Sequence, residues 1–309
     1  MHVASTRDFV PHHDLLLGLW RLADPKIALA SLVPFCVGAA FAWRLTDRID
    51  LAIAAPAFLA IFLVEVGKNS VNDLYDFRSG VDPAVRPEER SPYSGGKRVL
   101  VDGVLAERDL VVIAWIAFTL AAAIGAGVAF ATKPVLLLLG AAAALVSLIY
   151  VMPPVKLAYR GLGELAVFAV YGPGIVLGTV LLLGATVTME AVDTSITLGI
   201  LIALVLIANE MPDARADGAA GKRTVVVRLG RERTTALIGF LFGVAFVIPI
   251  ALVVYGVAHF AGALAGLPFA AFAYWSFRRT TKGPPIAAQT ATLVTYVVTG
   301  IGLAIAVVI

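Results

Sequence analysis

The sequence predicts an all-α integral membrane protein, built as a bundle of nine transmembrane helices. Hydrophobic residues make up 60% of the 309 residues and charged residues 15%, against about 25% charged in typical soluble proteins. A soluble domain of this length would need more polar surface to cover its core, so soluble α/β enzymes are excluded. The apolar residues form continuous runs that do not alternate with polar residues, which argues against a membrane β-barrel.

Nine apolar runs approach the length of about 20 residues that a helix needs to cross roughly 30 Å of hydrocarbon. They cover residues 27–43, 51–66, 110–130, 134–152, 165–183, 196–207, 235–255, 257–277 and 287–309. The runs at 51–66 and 196–207 are short. Each leads without a break into a polar motif, so we expect both helices to continue through that motif. The whole chain, 1–309, is then one transmembrane domain.

The basic residues predict the orientation of the bundle. If the N-terminus is cytoplasmic, only Arg44, Arg48 and Lys133 of the 24 Lys and Arg residues fall in outside loops. Cytoplasmic loops are enriched in Lys and Arg for topological reasons. We therefore expect a cytoplasmic N-terminus, an outside C-terminus and a prokaryotic plasma membrane as the location. The net charge of +3 follows from the same bias, and no nucleic-acid-binding module is visible.

Two long cytoplasmic loops, 68–109 and 208–234, each begin with an acidic motif. The motif residues are Asn72, Asp73, Asp76, Asn209, Asp213 and Asp217. Residues four apart share one face of a helix, so Asn72 aligns with Asp76, and Asn209 with the two aspartates that follow it. Because the two predicted helices run in the same direction, both motifs reach the cytoplasmic face.

Such acidic clusters need a compensating cation. A helix C-terminus disfavours anions, and neighbouring carboxylates repel one another. Carboxylate and amide oxygens favour Mg²⁺, which bridges protein carboxylates to substrate phosphates. The motifs therefore indicate a Mg²⁺-dependent site for a phosphorylated substrate, with a solvated loop of scattered acids as the alternative.

Basic side chains lie close to both motifs in the sequence and can donate to phosphate oxygens. The candidates for substrate binding are Lys68, Lys97, Arg98, Lys156, Arg160 and Lys222. Some of these basic residues do not bind substrate and only set the orientation of the chain in the membrane.

Three segments of the chain resemble a known family. NDLYDFRSGVD at 72–82 and NEMPDARADGAAGKRTVVVRLGRE at 209–232 resemble the two aspartate-rich motifs of the UbiA-type intramembrane prenyltransferases. PPVKLAYRGLGELAVFAVYGPGIVLGT at 153–179 resembles the menaquinone branch, the 1,4-dihydroxy-2-naphthoate prenyltransferases. The Gly80-Val81-Asp82 ending of the first motif also fits that branch.

The resemblance implies nine helices around a central cavity, in which two Mg²⁺ ions hold a prenyl diphosphate whose chain is transferred to an aromatic acceptor. The positions that match the metal-site motifs are Asn72, Asp73, Asp76, Asp82, Asn209, Asp213 and Asp217. Lys156 matches a basic position associated with the diphosphate, and Tyr150 a tyrosine near the reacting carbon. The resemblance implies an allylic cation, for which Tyr150 and five further aromatic residues are candidates for cation–π stabilisation: Tyr75, Phe77, Tyr159, Phe168 and Tyr171. Asp76, Asp213 and Tyr150 are the residues to which the resemblance assigns catalysis. The chain length of the donor and the oligomeric state are left open.

The chain departs from the branch at three places. Asp24-Pro25-Lys26 stands where the branch commonly has Arg-Pro, Pro212 stands where Arg often precedes the aspartate, and 91–100 reads SPYSGGKRVL. A carboxylate at position 24 would repel an anionic acceptor. A neutral phenol, or no acceptor, is therefore an alternative to the naphthoate.

Three other functions are compatible with parts of the sequence. A terpene cyclase on the same fold would share the ionisation step and differ in the fate of the cation. A cation transporter would use intramembrane acids as an ion path, but the acids here concentrate at one face. A phosphatidyl-alcohol transferase would also use an acidic motif. The segment from Asp102 begins like the signature of that family, but Glu107 stands where the signature has arginine.

Overall fold

The computed structural model describes residues 13–309, and this part of the chain is helical, with one isolated β-bridge between Ser91 and Ser94. The α-helices are α1 (Leu15–Ala23), α2 (Pro25–Thr46), α3 (Leu51–Arg78), α4 (Val81–Ala84), α5 (Glu107–Ala131), α6 (Leu136–Ile149), α7 (Gly163–Ala169), α8 (Ile175–Leu182), α9 (Met189–Ala219), α10 (Val225–Val254), α11 (Leu267–Arg279) and α12 (Ile286–Val308). A π-helical segment, Val170–Gly174, joins α7 to α8, and a 3-10 segment, Ala258–Gly266, precedes α11. The predicted all-α class is confirmed.

Eight helical stretches within residues 13–309 are long and apolar enough to cross a membrane. The expectation that two short runs continue as helix through the polar motifs is confirmed: α3 extends to Arg78 and α9 to Ala219. Each begins at a side-chain cap that satisfies a free backbone N–H group. Asp50 accepts from the N–H of Ala52 at 2.9 Å, and Thr188 accepts from that of Ala191 at 3.2 Å.

The span predicted at 134–152 is shorter than expected. Helix α6 has 14 residues, about 21 Å of rise, because the chain leaves the helix at Tyr150, ahead of the Pro153-Pro154 pair. It nevertheless runs from one face of the bundle to the other. Helix α5 begins beside the end of α3, where Arg78 pairs with Glu107 at 2.6 Å. The segment after α6 returns to α3, where the Tyr159 hydroxyl donates to Asp76 at 2.9 Å.

Ion pairs and hydrogen bonds between helix ends define two faces of the bundle. The motif face contains the C-terminal ends of α3 and α9 together with the N-terminal end of α12, where the hydroxyls of Tyr93 and Thr290 lie 2.9 Å apart. At the opposite face, Arg44 at the end of α2 pairs with Glu190 at the start of α9 at 2.7 Å. Consecutive long helices therefore run antiparallel, and α3 and α9 run in the same direction, as the sequence predicts.

Helix α9 lies at the centre of the bundle, because 67% of the residues in its apolar stretch are buried. The corresponding share is 28% in α5 and in α10. The π-helical segment packs directly against α9, because a Cβ on Gly172 would come within 2.5 Å of the Ser195 carbonyl oxygen. Small residues permit this close approach between membrane helices. Large apolar side chains such as Trp115 and Phe240 are exposed on the outer surface, where lipid would cover them.

Candidate functional site

A cavity of about 770 Å³ opens between α3, α9, the π-helical segment and the loop 91–98. One end carries polar side chains of both motifs. Its wall is apolar and consists of Ala166, Val167, Val170, Ile202, Val205 and Leu206. A site of this composition can hold a charged group at one end and a hydrocarbon chain along the wall, since each buried CH₂ contributes about 0.8 kcal/mol.

The first motif presents its acids along one face of α3. Asp76 is 3% exposed, and its carboxylate accepts hydrogen bonds from Asn72 at 3.3 Å and from the Tyr159 hydroxyl at 2.9 Å. The Tyr159 hydroxyl also lies 2.7 Å from that of Ser79. Burial raises the pKa of the Tyr159 hydroxyl, and the Asp76 charge raises it further. This tyrosine therefore remains a neutral donor that fixes the Asp76 carboxylate.

Lys222, in the loop between α9 and α10, joins the two motifs. Its ammonium lies 2.9 Å from the Asp76 carboxylate and 3.7 Å from Asp217. Burial opposes its charge, but the two carboxylates outweigh burial, and the pKa of Lys222 lies well above its usual value. The lysine is therefore a resident cation between the acids of α3 and α9.

The loop 91–98 is held by acids of both motifs. Asp73 accepts from the backbone N–H groups of Lys97 and Arg98, at 2.9 and 3.2 Å. Asp213 accepts from that of Gly95 at 2.9 Å. Glycine permits the path of this loop, because φ is +85° at Gly95 and +71° at Gly96. The loop thus links α3 to α9 across the mouth of the cavity.

Asp82 lies beneath this loop, directly against Gly96, and is 3% exposed. Burial raises its pKa to about 9, and the neighbouring Asp76 and Asp73 carboxylates add to the rise. The acids at this end of the cavity are therefore crowded enough that a further cation would relieve their repulsion.

The residues fit a hard cation such as Mg²⁺. Carboxylate and amide oxygens of both motifs are buried without a hydrogen-bond partner, and buried orphan oxygens of this kind are the ligands that Mg²⁺ takes. They are Asp73 Oδ2, Asp82 Oδ2, Asn209 Oδ1, Asp213 Oδ1, Asp217 Oδ1 and Glu210 Oε2. In residues 13–309, however, no three His, Cys, Asp or Glu side chains are already arranged around one ion position. Lys222 and the N–H groups of the loop hold several of these carboxylates instead.

Most of the predicted site residues lie together. Those lining the cavity are Lys68, Asn72, Asp76, Asp82, Lys97, Arg98, Tyr150, Asn209, Asp213, Asp217 and Lys222. Asp73 does not line it and instead holds the loop backbone. Lys156 and Arg160 are also outside the lining: the Lys156 ammonium lies 4.6 Å from the Tyr159 ring centroid, and Arg160 is exposed and donates to the Pro154 carbonyl at 3.0 Å.

Two acids in the cavity were absent from the predicted site. Glu210 is 7% exposed and lines the cavity. It precedes Asp213 and Asp217 by three and seven residues, so helical spacing could have identified it. Asp24 lines the cavity too, paired with the Lys97 ammonium. That pair joins residues 73 positions apart, which no local pattern reveals.

Comparisons with known proteins agree with this geometry. The sequence profile described as "UbiA prenyltransferase family" matches residues 31–306. A 1,4-dihydroxy-2-naphthoate octaprenyltransferase of Mycobacterium tuberculosis is 31% identical over 231 residues, which cover 74% of this chain and 76% of the relative. The Bacillus subtilis protein of the same name is 25% identical over 240 residues, covering 78% and 75%.

Solved structures share the fold. A UbiA homolog from Archaeoglobus fulgidus bound to GPP and Mg²⁺ aligns with a TM-score of 0.69 at 17% identity, over 94% of this chain and 99% of that one. The apo structure of a UbiA homolog from Aeropyrum pernix aligns with a TM-score of 0.61 at 19% identity, over 91% and 98%.

Proposed function

Because the chain belongs to the UbiA prenyltransferase family, we propose that this integral membrane protein transfers a prenyl chain from a prenyl diphosphate to 1,4-dihydroxy-2-naphthoate, a step of menaquinone biosynthesis. The observation that carries the proposal is the cavity in which two Asn/Asp motifs face an apolar wall. The names of the relatives from M. tuberculosis and B. subtilis support the naphthoate as the acceptor.

Mg²⁺ is the cofactor of this proposal, as the A. fulgidus homolog bound to GPP and Mg²⁺ supports. The residues that would hold it are Asn72, Asp76 and Asp82 from the first motif, and Asn209, Asp213 and Asp217 from the second, with Asp73 as a further donor. When bound, the metal supplies positive charge that stabilises the diphosphate leaving group.

The protein residues then have distinct tasks. Lys222, already between the acids of the two motifs, donates to phosphate oxygens. The apolar wall binds the prenyl chain and keeps water from the allylic cation. Tyr150 lines the cavity with its hydroxyl beside Gly163, and its ring stabilises that cation. The allylic C–O bond breaks and its electron pair leaves with diphosphate. The allylic carbon bonds to the ring carbon that carries the carboxylate, and that group leaves as CO₂ while its bonding pair restores the aromatic ring.

The orientation is part of the proposal. The chain, 1–309, forms one transmembrane domain in a prokaryotic plasma membrane, with the motif face cytoplasmic and the C-terminus outside. The bias of Lys and Arg towards the motif face supports this orientation. Water-soluble ligands then reach the site from the cytoplasm, and the prenyl chain enters from the bilayer.

The test is a transfer assay on purified protein in lipid nanodiscs, with radiolabelled prenyl diphosphates of several lengths and carboxyl-labelled 1,4-dihydroxy-2-naphthoate. We expect a prenylated lipid and labelled CO₂ in equal amounts, with Mg²⁺, and neither product in excess EDTA. A cyclised hydrocarbon made without acceptor would replace the proposal by a terpene cyclase. Transfer only to a phenol would overturn the acceptor, and cation flux without transfer would indicate a transporter.

A further inference from the structure

A lysine lies deep in the cavity, away from the acids that the proposed diphosphate site uses. Lys68 lines the cavity from α3, and its ammonium donates to the Tyr171 hydroxyl at 2.7 Å. Within residues 13–309, Tyr171 is the one hydrogen-bond partner of that ammonium. An ammonium has three donors, so two of them have no partner in the protein.

Glu65, one turn earlier on α3, does not take these donors. It is 3% exposed, and one of its carboxylate oxygens accepts from the Ser31 hydroxyl. The other oxygen has no hydrogen-bond partner. Tyr171 is 8% exposed, and its ring centroid lies 5.3 Å from the Lys68 ammonium. A half-buried cation that lines a cavity and has unused donors favours an anionic ligand.

The spacing along α3 favours a ligand other than the diphosphate for Lys68. Lys68 and Asp76 lie on the same face of α3, two turns and about 12 Å apart along the helix axis. A diphosphate held at Asp76 and Asp213 stays at the other end of the cavity. Lys222, which lies 2.9 Å from Asp76, is the lysine within its reach. Lys68 therefore faces the part of the cavity in which a second substrate would lie beside the prenyl chain.

Lys68 belongs to a cluster of three lysines and two carboxylates: the carboxylates of Glu65 and Asp24 act on Lys68, and Lys26 and Lys97 act on Asp24. Lys26 and Lys97 line the same cavity, and Asp24 is engaged with Lys97 in an ion pair. Burial lowers the pKa of Lys97, Asp24 opposes this effect, and the nearby charges of Lys68 and Lys26 lower the pKa further. Lys97 thus lies close enough to Lys68 and to Lys26 to be repelled by both. The carboxylate of Asp24 is neutralised by Lys97 and does not bar an anion from the cavity.

We propose that Lys68, oriented by Tyr171, binds the carboxylate of the aromatic acceptor and sets the preference for carboxylate-bearing acceptors. The assignment rests on the proposed prenyl transfer, to which it adds the acceptor subsite. The naphthoate then lies with its carboxylate against Lys68 and the ring carbon that carries this group turned towards the allylic carbon. Lys26 and Lys97 attract the anion at the entrance, whereas Lys68 contacts it.

The decisive experiment measures binding without prenyl diphosphate or Mg²⁺, so that it does not depend on turnover. Fluorescent 1-hydroxy-2-naphthoate and its carboxylate-free counterpart 1-naphthol are titrated into wild-type protein, Lys68→Met and Lys68→Arg. We expect Lys68→Met to weaken naphthoate binding at least about tenfold, as a lost charged hydrogen bond does. It should leave 1-naphthol binding unchanged, and Lys68→Arg should retain naphthoate affinity. Lys282→Met, an exposed lysine between α11 and α12, is the matched control.

Turnover gives a second readout. In Lys68→Met the KM for 1,4-dihydroxy-2-naphthoate should rise at least about tenfold, with the KM for prenyl diphosphate unchanged. Equal loss of naphthoate and 1-naphthol would assign Lys68 a merely structural role, and a rise in the diphosphate KM alone would assign it to phosphate. Either result overturns the proposal.

If Lys68→Met does not fold, the same measurements are made on the double variant Glu65→Gln/Lys68→Met, which removes one charge of each sign. Absence of transfer in the wild type would overturn the proposed function and leave the binding measurement to decide the subsite.

Discussion

At the scale of single residues, the positive charge of Lys222 partly balances the negative charge of the acids in the site. Its ammonium lies between Asp76 and Asp217, where it offsets part of the repulsion among the acids of α3 and α9. Mg²⁺ would offset the same repulsion. The lysine and the metal therefore act on a shared set of carboxylates, and the protein without metal depends more strongly on the lysine.

Lys222→Met should destabilise the metal-free protein. Breaking a buried ion pair from one side costs about 3–5 kcal/mol, so we expect a clear fall in the Tm measured in EDTA. Added Mg²⁺ should raise the Tm of the variant more than that of the wild type, because the metal replaces the missing charge. Lys282→Met is the control with an exposed lysine. An unchanged Tm of Lys222→Met in EDTA would contradict this account.

Asp76→Ala and Asp213→Ala should each lower turnover at least about a hundredfold, while both proteins still fold. Each removes one carboxylate from a different motif, and the electrostatic stabilisation of a leaving group accounts for losses of this size. Initial rates of prenyl transfer at saturating Mg²⁺ measure the effect, with the exposed acid variant Glu232→Gln as control. Rates near those of wild type in either variant would mean that the acids form only a solvated surface.

At the scale of elements, the loop 91–98 connects the two motif helices. Asp73 of α3 and Asp213 of α9 both accept from its backbone N–H groups. The loop is therefore assembled only when both helices are in place, and its position depends on the glycines that allow positive φ. It also covers Asp82, which lies directly against Gly96.

Gly96→Ala should be more harmful than Gly95→Ala, although both positions have positive φ. Each alanine carries about 1–2 kcal/mol of backbone strain. The Cβ at position 95 would meet only Val85, at 3.5 Å, whereas the Cβ at position 96 would overlap the Asp82 carboxylate. We expect at least about tenfold lower transfer activity for Gly96→Ala and a smaller loss for Gly95→Ala. Equal activities in the two variants would exclude a role for the Gly96–Asp82 contact.

At the scale of the whole molecule, the number of passes through the membrane fixes where the chain ends. Eight stretches in residues 13–309 have spanning length, and α6 adds a shorter helix between the two faces. If α6 crosses, the number of passes is odd and the two termini lie on opposite sides of the membrane.

A reporter fused to the C-terminus tests this topology. Alkaline phosphatase after Ile309 should be active, and green fluorescent protein at the same site should be dark, because the proposed orientation places the C-terminus outside. A fusion after Lys282, between α11 and α12, should give the reverse pattern. Fluorescence after Ile309 together with phosphatase activity after Lys282 would mean that α6 does not cross, and fluorescence at both sites would mean that α12 does not cross.

The sequence by itself determined the fold class, the eight long spans and the acids of the two motifs, most of which line the cavity. Apolar runs long enough for a bilayer leave few alternatives, because backbone polar groups in lipid must be satisfied within helices. Helical spacing alone aligned Asn72 with Asp76 and Asn209 with Asp213. Counting the predicted membrane spans between α3 and α9 also showed that these two helices run in the same direction.

Only the tertiary structure decided which basic residues face the cavity and what each acid contacts. Lys222 meets Asp76 across 146 positions, and Lys68 meets Tyr171 across 103. Lys156 and Arg160, equally plausible from the sequence, lie outside the lining. Sequence patterns describe one helix at a time, since their periodicity reports which side of that helix is apolar. The neighbours of a long, flexible lysine depend on how helices distant in sequence pack, and packing is a property of the assembled bundle.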